Sequence, residues 1–163
     1  MLIEFTKLTD GGILLRCVRT DGTSVWQRQE GARGRFFAFH DLRHYAVESV
    51  LEYKQGFYGL ISSGWEILDT TGKGSRGPLP DEALEVEHLV GLLDADSTGE
   101  NQSTAELLNE YAAASAAKNS RHASRALTEA TLARIRELAA SLHSEWSGLL
   151  DGDSMRLTFP PDQ

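Results

Sequence analysis

A lone cysteine, Cys17, cannot form an intrachain disulfide, so whatever fold this chain adopts rests on its core and its hydrogen bonds. No run approaches the ~18 apolar residues that a membrane span requires. The opening stretch MLIEFTKLTDGG has no basic segment ahead of an apolar one, and Glu4 interrupts it, which argues against a secretory signal. Both absences point to a cytoplasmic protein with no membrane role. Basic residues are missing where acidic ones are dense. Between Pro78 and Ala117 there is no Lys or Arg, yet Asp81, Glu82, Glu85, Glu87, Asp94, Asp96, Glu100, Glu106 and Glu110 fall there, carrying essentially the whole net charge of −8. Proteins that bind nucleic acid cluster cations against phosphates, so this pattern excludes nucleic acid as the expected partner and suits a basic protein or a cation. Also missing are a dinucleotide fingerprint, a G-x-S-x-G elbow and a CxxC pair.

What is present fits one folded domain of 163 residues with 40% hydrophobic and 25% charged content. The predicted class is α+β: an antiparallel sheet, made of an N-terminal meander and a C-terminal strand, packed with several helices on one face. Strands are expected within about 2–39. Leu2–Leu8, Ile13–Arg19 and Ser24–Gln29 alternate and are separated by the turn signals Asp10-Gly11-Gly12 and Asp21-Gly22, and Arg35–Phe39 reads as a fourth strand. Helices are expected within about 41–149: Asp41–Lys54 stopped by Gly56, a short one over Phe57–Ser63, Asp81–Leu93, an alanine-rich helix from a Ser103/Glu106 capping box to Lys118, and a long amphipathic one from Leu127 to Leu149. Trp65–Asp69 reads as a short extended piece, and TTGKGSRGPLP as a loop. DADSTGENQ reads as a polar connector and KNSRHAS as a break. The closing strand falls at about 154–159, and Pro160-Pro161 ends the ordered part.

The stretch FFAFHDLRHYAVESVLEYKQGFYGLISSGW holds the sharpest spacing. His40, His44 and Glu48 recur every four residues and would form one polar stripe on a helix. Two imidazoles so placed can share one divalent metal such as zinc, the geometry of the H-E-x-x-H zinc helix, although position 41 here is Asp. Glu48 would be a third ligand or a general base. His88 lies on the inward face with Leu84 and Leu92 and could complete the set. His122 and His143 read as solvent-facing. The string HDLRH also resembles the H-x-x-R box of tyrosine recombinases, which would give His40 and Arg43 the task of activating a phosphodiester. The chain has no LGH-like third box and no suitably placed tyrosine, and its charge opposes DNA, so that family is set aside.

Cys17 reads as a small buried hydrophobe. The aromatic residues Trp26, Tyr45 and Trp65 are candidates for a ligand groove or an interface. Two functions compete. One is a non-enzymatic binding or protein-interaction module, a homo-oligomer or the partner of another protein through its acidic helix. The other is a metal-dependent, hydrolase-like enzyme using His40, His44, Glu48 and His88.

Overall fold

The computed structural model describes residues 1–97, 102–118 and 125–160. Its strands are β1 (Leu2–Lys7), β2 (Ile13–Val18), β3 (Ser24–Gln29) and β4 (Ser154–Thr158), in one antiparallel sheet of order β3-β2-β1-β4. Five helices accompany it among the described residues: α1 (Gly31–Leu51), α2 (Phe57–Ser62), α3 (Asp81–Ser97), α4 (Ala105–Lys118) and α5 (Glu129–Gly148). The α+β architecture is therefore the one expected, with the closing strand paired to β1. None of these helices is long and apolar enough to cross a membrane. His122 and the break around it, residues 98–101 of the polar connector and Pro161 lie outside the described residues.

Alternation along the strands decides which face is covered. Ile3, Phe5, Ile13, Leu15, Cys17, Val25 and Met155 point inward against α1, α2 and α5, where Leu42, Tyr58, Ile61, Leu142 and Trp146 meet them. Phe5 and Trp146 pack edge to face with ring centroids 6.2 Å apart. Each such side chain contributes about 1.5–3 kcal/mol by leaving water. Residues of opposite parity form the other face, where one row across the strands reads Trp26, Arg16, Glu4 and Arg156.

The largest departure from expectation is α1. The predicted strand Arg35–Phe39 is instead the second turn of this helix, which begins ten residues before the Asp41 start. The reason is placement. Ala38, Leu42 and Tyr45 pack toward the sheet, while Ala46, Val47 and Leu51 join a second core with Val86, Leu89 and Val90 of α3 and Leu132 and Ile135 of α5. A helix covered on both sides has no single apolar stripe to read, and its FFAF run looks like β sequence when tertiary context is unknown. Gly34 makes the burial possible, because a Cβ there would stand 2.6 Å from both the Gln29 carbonyl oxygen and the Gly12 Cα.

Other boundaries shift for local reasons. α1 ends at Leu51, not Lys54, because Glu52 adopts the left-handed conformation (φ 56°) and Tyr53 N–H donates back to the Glu48 carbonyl. Gly56, expected to stop that helix, is instead the N-cap of α2. α3 continues to Ser97. Thr104, not Ser103, caps α4, its hydroxyl oxygen accepting from Leu107 N–H at 3.2 Å. The expected extended piece at Trp65–Asp69 is a turn leading into a 3-10 turn over Asp69–Thr71, folded around the buried Asp69 carboxylate that accepts from Ser75 N–H.

Candidate metal centre

The early start of α1 places His40 well inside regular helix, so His40 and His44 do share one face, with ring centroids 4.8 Å apart. His40 is half-buried and His44 is 1% exposed. The third group comes from elsewhere. Glu87 on α3 lies across from α1, and His40, His44 and Glu87 each bring one donor atom to within 4.8 Å of the others. Around a tetrahedral metal with bonds of about 2.1 Å, ligand atoms lie about 3.4 Å apart. His44 Nε2 and Glu87 Oε1 are already at 3.5 Å, and His40 needs a closure of at most about 1.4 Å.

Each imidazole is oriented from behind by a carboxylate. His40 Nδ1 stands 2.6 Å from Asp94 Oδ2, and the same carboxylate is paired with Arg43. His44 Nδ1 stands 3.3 Å from Glu48 Oε1. Carboxylates on Nδ1 fix the tautomer that offers Nε2 to a metal, the usual support for histidine ligands. His44 Nε2 is buried and makes no hydrogen bond, but it faces the Glu87 carboxylate at ion-pair distance, 3.5 Å. Protonated, this nitrogen pairs with Glu87; unprotonated, it turns its lone pair toward a carboxylate and a second imidazole, a donor set that a metal can use.

Glu48 thus plays a different part from the one its spacing suggested. Its carboxylate is 1% exposed and also accepts from the backbone N–H groups of Tyr58 at 3.0 Å and Gly59 at 3.2 Å. It supports His44 and stands behind the cluster. Gly56 leaves it room, for a Cβ there would lie 2.4 Å from the Glu48 carboxyl carbon. His88 does not join the cluster. One residue along α3 from Glu87, it is turned about 100° around the helix axis and is half-buried, with its Nε2 enclosed and unpartnered.

Charge sets the protonation of the site. Burial lowers the affinity of His44 for a proton, but its hydrogen bond to Glu48 and the charge of Glu87 outweigh this and raise its pKa to about 10. Burial, followed by the neighbouring His44 charge, holds His40 below the ordinary imidazole value. Glu87 is 46% exposed and only partly desolvated, and His44 brings it below the ordinary carboxylate range. Without metal, therefore, His44 carries a proton at neutral pH and His40 does not. Asp41 is the member that spacing alone did not select. Half-buried beside both imidazoles, it is pushed by burial up to about 7, against the pull of the His44 and His40 charges.

These groups open onto a cleft of about 430 Å³ between β3, α1, α2, α3 and the loop before α3. The other expected site residues lie elsewhere. Tyr45 is a core residue whose hydroxyl donates to the Thr158 carbonyl at 2.9 Å. Trp65 is half-buried beneath the Arg76 guanidinium, and Trp26 is 67% exposed on the outer sheet face. His143 is half-buried rather than solvent-facing, its Nε2 3.1 Å from the Phe39 carbonyl oxygen. Cys17 is fully buried, and desolvation pushes its thiol up to about 12, which removes it from nucleophilic chemistry.

The acidic helix is not merely a solvated face. Glu82 accepts from the Lys54 and Gln55 N–H groups, Glu85 takes the Tyr53 hydroxyl and the Arg125 N–H, and Asp96 pairs with Arg136. Comparison of the chain with protein-family models, with curated proteins and with solved structures finds no match to any of them.

Proposed function

We propose that this protein is a metal-dependent hydrolase whose centre is His40, His44 and Glu87, with Asp41 as the group that moves the proton. The observation that carries the reading is the pair of carboxylate-backed imidazoles converging with Glu87 on one point, one of them with a buried Nε2 that makes no hydrogen bond. Two histidines and one carboxylate leave coordination positions open, as catalytic sites do and closed structural sites do not. H-D-x-x-H on α1 then mirrors the H-E-x-x-H arrangement, with the acid beside the first histidine facing the same cleft.

A bound zinc would supply a polarised water and a Lewis acid for a carbonyl oxygen. Asp41 is placed for the proton transfer, because it faces the cleft beside both imidazoles and burial raises its carboxyl above the ordinary range in the metal-free protein. As the water oxygen forms its bond to the carbonyl carbon, Asp41 takes the released proton. It gives that proton to the leaving atom as the old bond breaks, so hydrolysis ends with Asp41 in its starting state. Asp94 and Glu48 hold the two imidazoles in place throughout.

Elemental mass spectrometry of the purified protein, with His40→Ala and Glu87→Gln beside it, tests this. Wild type should hold about one zinc or similar ion per chain after exposure to micromolar metal, and both variants should lose it while keeping the wild-type circular dichroism spectrum. A metal-free wild type after reconstitution refutes the proposal. A second reading, an interaction module, rests on Trp26, which is exposed in the row with Arg16, Glu4 and Arg156. A dimer by sedimentation that Trp26→Ala dissociates would support it.

A further inference from the structure

Resting on that reading, we infer that the cleft takes an uncharged carboxamide bearing an apolar, flat substituent, and that it rejects phosphate and carboxylate substrates. The argument comes from the walls beyond the metal-binding groups. On one side stand Phe37, Phe57, Ile67 and Leu79, contributed by α1, α2 and the loop before α3. Phe57 lies 5.6 Å from the His44 ring, centroid to centroid, so the apolar wall begins next to the ligands. A volume of about 430 Å³ holds a small organic molecule rather than a folded partner.

The charges in the cleft are those of the centre itself. Of the residues lining it, none is Lys or Arg, while Asp41 and Glu87 are acidic. Sites that hold phosphate or carboxylate groups present guanidinium, ammonium or several backbone N–H groups to them. The nearest arginine in sequence, Arg43, is committed to Asp94. An anion entering here would meet two carboxylates and no counter-charge beyond the histidines and the metal.

The remaining polar wall distinguishes an amide from an ester. The Thr70 hydroxyl donates to the Ile67 carbonyl at 2.7 Å, and the Thr71 hydroxyl to the Leu68 carbonyl at 2.7 Å. With its hydrogen committed, the buried Thr70 oxygen is left to accept and so complements an N–H, whereas the Thr71 oxygen already accepts from Lys73 N–H at 3.3 Å. Gln27 on β3 adds an amide able to pair with a second one. An ester offers no N–H to this wall.

The test uses zinc-loaded protein and two hydroxamate probes that chelate the metal alike and differ in their arms. Acetohydroxamate reports the metal alone, and benzohydroxamate adds an aryl group for the apolar wall. Benzohydroxamate should bind at least tenfold more tightly by calorimetry, and Leu79→Ala and Phe57→Leu should each remove most of that advantage while leaving acetohydroxamate affinity within twofold. Phenylphosphonate should bind at least tenfold more weakly than benzohydroxamate. Turnover of an aryl amide should exceed that of an aryl phosphate, and Thr70→Val should lower amide turnover through KM with zinc content unchanged. Equal affinity for the two hydroxamates, or tighter binding of phenylphosphonate, overturns the substrate class while leaving the metal centre standing. Absence of zinc and of any hydroxamate binding overturns the metal centre, and the substrate class falls with it.

Discussion

Glu48→Gln is the substitution that most directly examines how the site is held. The change is nearly isosteric, so its effect is electrical rather than steric. The carboxylate accepts from His44 Nδ1, Tyr58 N–H and Gly59 N–H at the same time. An amide keeps one acceptor oxygen and turns an NH₂ toward groups that are themselves donors. One buried donor then goes unpaired, which costs about 1–3 kcal/mol, and His44 loses one of the two carboxylates that keep it protonated, Glu87 remaining. Breaking a buried pair typically costs about 3–5 kcal/mol, but here the imidazole can shed its proton and recover part of that. We expect a loss of about 3 kcal/mol for the metal-free protein at pH 7, or about 6–12 °C in Tm for a chain of this size.

Urea unfolding in chelator, followed by circular dichroism from pH 6.5 to 9, measures this. The pH axis gives a second, independent readout. His44 has its folded pKa raised to about 10, from an ordinary value near 6.5. The folded state therefore holds a proton that the unfolded chain gives up. The resulting stabilisation is complete below about pH 6.5 and is lost as pH rises toward 10. Wild type should weaken steadily across that window, and Glu48→Gln should weaken less, because Glu87 alone is then left to hold the proton on His44. If the variant stays within about 0.5 kcal/mol of wild type and keeps the same alkaline slope, Glu48 does not hold His44 as described.

Asp41→Asn should stabilise the metal-free protein at pH 8, by at most about 4 kcal/mol, because a carboxyl raised to about 7 erodes stability as pH climbs from its ordinary 3.8; the same variant should keep its zinc and lose hydrolysis, and lower stability would contradict the burial argument. Zinc binding at pH 7 should release about one proton, that of His44, which calorimetry in two buffers of different ionisation enthalpy would reveal as a buffer-dependent heat. Glu52→Gly should raise stability by about 0.5–1 kcal/mol, since the left-handed φ of 56° suits glycine; a drop in denaturant midpoint would show that the Glu52 side chain does more than occupy a cap.

How much of this was legible from the residues depends on whether each signal is local. The meander was, because alternation and the Asp10-Gly11-Gly12 and Asp21-Gly22 turns act within a few residues, and so was α5, whose one apolar face follows a helical period. Phe36 to Phe39 misled, since aromatic runs favour strands until a sheet on one side and helices on the other bury both faces of a helix. At the site, His40 and His44 were visible through their spacing, and Asp41 could have been read from its place beside His40. Glu87 had no such signal, because its meeting with α1 is set by how α3 packs, which no sequence period records. Glu48 shared the stripe but was drawn away by the N–H groups of α2, a loop geometry invisible in the spacing.

The seam between α1 and α3 gives the two helices different temperaments. α1 is clasped by apolar contacts on both sides, whereas α3 adds to its apolar contacts a line of carboxylates: Glu82 on the Lys54 and Gln55 amides, Glu85 on Tyr53, Glu87 facing His44, and Asp94 on His40 and Arg43. Amide hydrogen exchange should sort them accordingly, with α1 opening only when the whole molecule unfolds and α3 opening earlier as a unit of its own, sooner still in acid. A metal held by His40, His44 and Glu87 bridges that seam. Its occupancy would then be legible as slowed exchange along α3, far beyond the atoms that touch it.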